Sequence, residues 1–223
     1  VLPPKDSEVT GPSIKTVSES NSEDYLYEAS LSVENISRED RGLQLYRDPN
    51  SRGAVEWFYL HITGNRDVTM AILEEAEKND IPLSLAFALA YTESRYNVLA
   101  VNKNTNSSID RGLFQLNDKS FPGLAEQDFF NPKISAKYGM SHLKHCLKVG
   151  GNEVTGIAMY NAGTNKVKSG RTPQSTLNYV GKIVAYQDKL ERLFTEEVCP
   201  YFDDINSFGG VAVALLNSDK IKR

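Results

Sequence analysis

Apolar positions in the first 38 residues show no sustained period, whereas from Ser51 onward they recur at helical spacing through most of the chain. Residues 1–38 are rich in Ser, Glu, Asn, Thr and Pro (VTGPSIKTVSESNSED) and read as a disordered tether. Ala54, Val55, Trp57, Phe58, Leu60 and Ile62 predict an aromatic-rich helix stopped by Gly64, within an N-terminal helical extension over 39–65. Asn65 is placed to cap a second helix, with Val68, Ala71, Ile72 and Ala76 as its apolar stripe and Glu74, Glu75, Glu77 and Lys78 on its wet face. Pro82 then opens LSLAFALAY, which is apolar nearly all the way round and so belongs in the middle of a domain spanning 66–195. This central helix carries Glu93 at its far end.

The next segment, VNKNTNSSID, is polar and turn-forming, and GLFQLN after it fits either a strand or a helical turn. Together they predict a small irregular or β-hairpin lobe. Asn131-Pro132 starts a helix through Tyr138, Met140, Leu143 and Leu147 that ends at Gly150 and Gly151, and Val154, Ile157 and Ala158 mark a shorter one ending at Gly163. Thr172-Pro173 opens the last long helix, with Leu177, Val180, Ile183, Val184, Leu190, Leu193 and Phe194 on its apolar side. In the tail, 196–223, the run VAVALL is too short to tell a strand from a buried helix. The expected fold class is mainly α, a helical domain with one small lobe after the Glu93 helix.

Composition narrows the function classes. A formal net charge of -4, from 25 basic and 29 acidic residues, argues against a nucleic-acid binder, which gathers a basic excess on one face. No apolar run is long enough to span a bilayer. The chain opens with Val1 and has no basic segment followed by an apolar one, so any export signal is expected to be absent from these residues, and the expected partners leave room for a membrane tether upstream of residue 1. Two cysteines, Cys146 and Cys199, are too few for a disulfide framework and leave both pairing and free thiols open. No metal and no cofactor are expected. The alternation Asn102, Asn104, Asn106, Ser108, Asp110 lacks the Gly and Glu of a calcium loop, where Ser107 and Leu113 stand instead, and His142 with His145 lacks a third ligand.

Glu93 is the first candidate for chemistry. A carboxyl at the C-terminal end of an almost wholly apolar helix is kept protonated both by desolvation and by the negative end of the helix dipole. Its neighbourhood supplies more. Glu93 and Ser94 resemble the catalytic Glu-Ser pair of bacterial lytic transglycosylases, and GLFQL at 112–116 resembles their GLMQ motif, with Phe114 where Met is usual. AMYNAG at 158–163 is similar to their AYNAG signature, and PQSTLNYV at 173–180 to the closing segment that supplies a tyrosine, here Tyr179. The resemblance covers roughly residues 66–194 and implies a lysozyme-like fold.

It also implies a substrate, the glycan strands of peptidoglycan, and a bacterial periplasmic or cell-envelope location. Gly112 would permit close backbone approach to a sugar, while Gln115, Asn117 and Asn161 offer donors and acceptors to hydroxyl and N-acetyl groups. Tyr96, Phe114, Tyr160 and Tyr179 would present ring faces to sugars. The activity implied is lytic transglycosylation, with Glu93 as acid and then base, giving 1,6-anhydromuramoyl ends.

The run from 93 to 117 also resembles the active-site stretch of c-type lysozymes, whose second catalytic carboxylate falls at Asp110. That keeps a hydrolytic muramidase using Glu93 and Asp110 as an alternative, and a non-catalytic glycan-binding protein as another. AMYNAG favours the transglycosylase. A similar Asp precedes GLMQ in lytic transglycosylases that accompany secretion machines, which would make cell-envelope machinery a partner.

Overall fold

A computed structural model of the protein describes residues 40–203; the expected tether over 1–38 and the VAVALL run lie outside them. The described chain begins with helix α1 (Arg41–Arg47), whose first turn is capped by Asp40 accepting from Leu43 N at 2.7 Å. Helix α2 (Arg52–Thr63) ends at Gly64 in the left-handed conformation (φ 66°), and Asn65 caps α3 (Arg66–Asn79) by accepting from Val68 N. Both boundaries follow from residue chemistry: glycine takes positive φ without a Cβ clash, and an Asn side chain replaces the missing acceptor of the first turn.

Helix α4 (Leu83–Ser94) forms the centre. Its residues from Leu83 to Ala90 are all buried, and their all-round apolarity needs neighbours on every side. Helices α1 and α2, expected as an extension, contribute to this same core. Tyr59 stacks on Phe87 of α4 with centroids 3.9 Å apart, and Phe58 meets Phe194 edge-on at 5.2 Å. Such aromatic pairs add to the burial of their area and fix how the helices cross.

The lobe after α4 is a three-stranded antiparallel sheet of β1 (Val101–Lys103), β2 (Ile109–Arg111) and β3 (Leu116–Asn117), in sequence order. Its register pairs Asn102 with Asp110 and Asp110 with Asn117, so Asp110 sits on the middle strand between two carboxamide residues. The segment GLFQLN, ambiguous in sequence, is both things: a tight turn over 112–115, then β3.

A 3-10 turn (Glu126–Phe130) leads to α5 (Pro132–Gly150), with Pro132 in its first turn, Asn131 as its cap and Gly151 closing it. Helices α6 (Glu153–Ala162) and α7 (Thr164–Lys168) follow, then α8 (Gln174–Glu197), which packs along α4. Cys146 and Cys199 are both buried and unpaired. Among the described residues no helix is long and apolar enough to cross a membrane.

Candidate active site

The end of α4 is where the helical bundle, the β lobe and α8 meet. Glu93 lies on the last turn of α4 and is half-buried, and its Oε1 accepts a short hydrogen bond from the Tyr179 hydroxyl on α8. Desolvation pushes the Glu93 carboxyl up to about 8; the Tyr179 bond pulls the other way, and the negative charge of Asp110 raises it further. Burial is thus the dominant cause, supplied by the apolar α4 and its neighbours. Near neutral pH Glu93 holds its proton.

Asp110 has a different setting. Its two oxygens accept from Asn104 Nδ2 at 2.8 Å and Asn117 Nδ2 at 2.7 Å. Asn117 also reaches Ser108 Oγ at 2.8 Å, so the carboxylate is held by an amide network within the lobe. Asn104, which the sequence reading passed over as part of a loop, is one of its two direct partners.

Several expected ligand-binding residues turn out to build the scaffold of the site. Phe114 is wholly buried: its ring lies against Gly139 of α5, where an added Cβ would stand 2.5 Å from Phe114 Cγ. Its ring therefore offers no face to a sugar. Gly112, at φ 77°, is also buried; its missing Cβ makes room for the Phe129 carbonyl, 1.8 Å from where that atom would be. The close approach that demands glycine is to the protein's own backbone. Gln115 gives its amide N–H groups to the carbonyls of Ala100 (3.1 Å) and Gly112 (2.9 Å), tying the turn to the strand before it.

Ser94 and Tyr160 hold that turn against the bundle. Ser94 Oγ donates to Leu113 O at 2.8 Å, and Tyr160 Oη donates to Phe114 O at 3.0 Å. Both residues of the Glu-Ser pair thus have a place: Glu93 bears the proton, and Ser94 fastens the lobe beside it. Tyr96 packs on Phe87 and Tyr91 and donates to Phe87 O at 3.2 Å. Asn161 is exposed, its Oδ1 accepting from Thr176 Oγ1 at 2.8 Å, which fixes the amide and leaves its N–H groups facing outward.

Tyr179, the hydrogen-bond partner of Glu93, lines a cleft of about 690 Å³ together with Tyr91, Thr92, Arg95, Asn161, Lys182 and Tyr186 among others, while Glu93 itself is not in the lining. That volume is in the range of small-ligand sites. Tyr91 and Tyr186 stack at 4.4 Å to form one wall. Of these residues only Asn161 and Tyr179 stood out in sequence. The signal for the rest was helical spacing: Ser175, Tyr179, Lys182 and Tyr186 all line the cleft and fall on one stripe of α8, away from its apolar side.

A helical domain with a β lobe and a protonated glutamic acid at the end of its central helix is the lysozyme-like arrangement. Residues 70–179 match the sequence model of the family described as Transglycosylase SLT domain. The chain is also 35% identical over 98 residues to "Protein IpgF" of Shigella sonnei and to "Protein IpgF" of Shigella flexneri. Each match takes in 41% of this chain and 64% of the relative, so just under two thirds of the relatives' length is spanned.

Proposed function

We propose that the protein is a peptidoglycan lytic transglycosylase acting in the bacterial periplasm or cell envelope. The observation that carries this reading is Glu93: a carboxyl raised to about 8 by burial, beside an open cleft, with a tyrosine hydroxyl on one oxygen. A group poised there is protonated at neutral pH and transfers its proton with little driving-force penalty.

In the first step Glu93 protonates the oxygen of the β-1,4 bond between N-acetylmuramic acid and N-acetylglucosamine, and the bond to the muramoyl anomeric carbon breaks. In the second step the muramoyl 6-hydroxyl attacks that carbon while the Glu93 carboxylate takes the hydroxyl proton, closing the 1,6-anhydro ring. The acid is regenerated and no water is consumed. The family match and the AMYNAG segment support this outcome over hydrolysis.

Asp110 favours a second reading strongly enough to be tested beside the first. Its charge is felt at Glu93, and a retaining glycosidase needs a second carboxylate about 5–5.5 Å from the acid. Mass spectrometry of the muramoyl ends released from sacculi separates the two. A transglycosylase leaves ends lighter by one water, and Asp110→Asn slows it without changing the product. Reducing ends together with an inactive Asp110→Asn protein would replace the proposal with a muramidase; no release at all would leave a glycan binder.

A further inference from the structure

We infer that Arg95 and Lys182 form a carboxylate-recognition subsite on the wall of the cleft, reading the acidic substituents that the glycan carries. This rests on the peptidoglycan reading above and goes further, to what part of the substrate is selected. Both cations line the cleft beside Tyr179, and both are exposed. Among the described residues neither has a carboxylate partner. The ion pairs of Arg41, Arg47, Arg52, Lys78 and Arg111 lie elsewhere. Both are therefore available to a ligand at this wall.

Arg95 closes α4 in the left-handed conformation (φ 53°), and Tyr96 follows at φ 64°. A non-glycine residue held there is strained. Glycine closes α2 and α5 in this conformation and Asp80 closes α3, so a non-glycine closure is not peculiar to Arg95. Lys182 lies three residues beyond Tyr179 on α8, about 4.5 Å farther along the axis from the tyrosine that touches Glu93. The subsite thus adjoins the cutting position.

Sugars of the muramoyl type bear a lactyl ether ending in a carboxyl, or in a peptide whose own carboxylates replace it. N-acetylglucosamine has neither. A pair of cations next to the scissile bond therefore distinguishes the two sugars by charge, while the Tyr91–Tyr186 wall supplies apolar contact common to both.

The test uses full-length Glu93→Gln protein as an uncleaving parent and calorimetry with three probes. These are glycan strand fragments bearing peptides, the same fragments after an amidase has exposed the lactyl carboxylate, and a neutral N-acetylglucosamine hexamer. The parent is expected to bind the charged probes more tightly. Adding Arg95→Gln and Lys182→Gln should weaken the charged probes roughly three- to tenfold, as for exposed ion pairs, and bring their ratio to the neutral hexamer toward one. Loss on the amidase-treated probe alone assigns the lactyl carboxylate as the source, loss on the peptide-bearing probe alone assigns the peptide carboxylates, and loss on both assigns a subsite that takes either. Lys148→Gln on α5 is the charge control and should leave the ratios in place. Unchanged ratios in the double variant, with wild-type protein still cutting sacculi, would overturn the subsite alone. Absence of binding to all three probes, with intact sacculi, would overturn the glycan reading and the subsite together.

Discussion

The two carboxylates of the site occupy opposite kinds of ground. Glu93 ends a helix whose preceding residues are buried on every side, and it has one hydroxyl for a partner. Asp110 sits on the middle strand of a small exposed sheet, gripped by the amides of Asn104 and Asn117. Donors aimed at both oxygens favour a charged carboxylate, whereas loss of solvent favours a neutral one. The fold thereby gives the two different settings: burial keeps Glu93 protonated, while the amides of the lobe hold Asp110 in place. Moving either residue type to the other place would not reproduce either behaviour.

The largest expected effect comes from removing the acid. Glu93→Gln should lower sacculus turnover by about a hundred- to ten-thousandfold while the circular dichroism spectrum stays that of the wild type. A folded variant retaining a tenth of the activity would take Glu93 out of its central role. The join between the two regions is next. Gly112→Ala drives a Cβ into the Phe129 carbonyl at a positive φ, and a loss of about 2–3 kcal/mol in urea unfolding is expected.

Two variants should then move the high-pH limb of activity, which marks loss of the Glu93 proton near pH 8, in opposite directions. Tyr179→Phe deletes a bond that favours the ionised form, so the limb should rise by roughly one pH unit. Asp110→Asn deletes a charge that disfavours it, so the limb should fall, by less. Shifts of the same sign in both would break the assignment of roles.

A further effect is on stability. The folded-state value of Glu93, about 8, lies above its ordinary 4.5, so below pH 4.5 the proton is held in both states. As pH rises from there to 8 the unfolded chain releases it first, and stability is lost. Glu93→Gln should therefore melt several degrees above the wild type at pH 8 and level with it at pH 4, as read by calorimetry.

What the sequence disclosed divides along the same line. Helix boundaries marked by Gly64, Asn65, Asn131 and Gly151 were legible because a cap is a local matter of one side chain and its own backbone. The desolvated setting of Glu93 was legible because it ends an almost wholly apolar helix. Phe114 and Gly112 were misplaced for a physical reason. A motif residue near the acid looks the same in sequence whether it meets the ligand or the chain behind it, and only the contacts with Gly139 and Phe129 separate the two. The cleft-facing stripe of α8 went unread because attention to its apolar side hid the other periodic face.

The hairpin tip has a consequence for how this architecture diversifies. Asn104 N donates to Ser108 O at 2.9 Å, Ser107 N to Asn104 O at 3.1 Å, and Ser108 N to Asn106 Oδ1 at 3.1 Å, so the tip closes upon itself. Residues Thr105 to Ser107 are exposed, and their backbone polar groups need nothing from the bundle. Loops of this kind lengthen at small entropic cost, since closure grows only with the logarithm of length. Insertions between Thr105 and Asn106 are thus a point of variation, through which descendants of one ancestral chain can acquire new outer contacts while the Asn106–Ser108 and Asn104–Asp110 bonds behind them are kept.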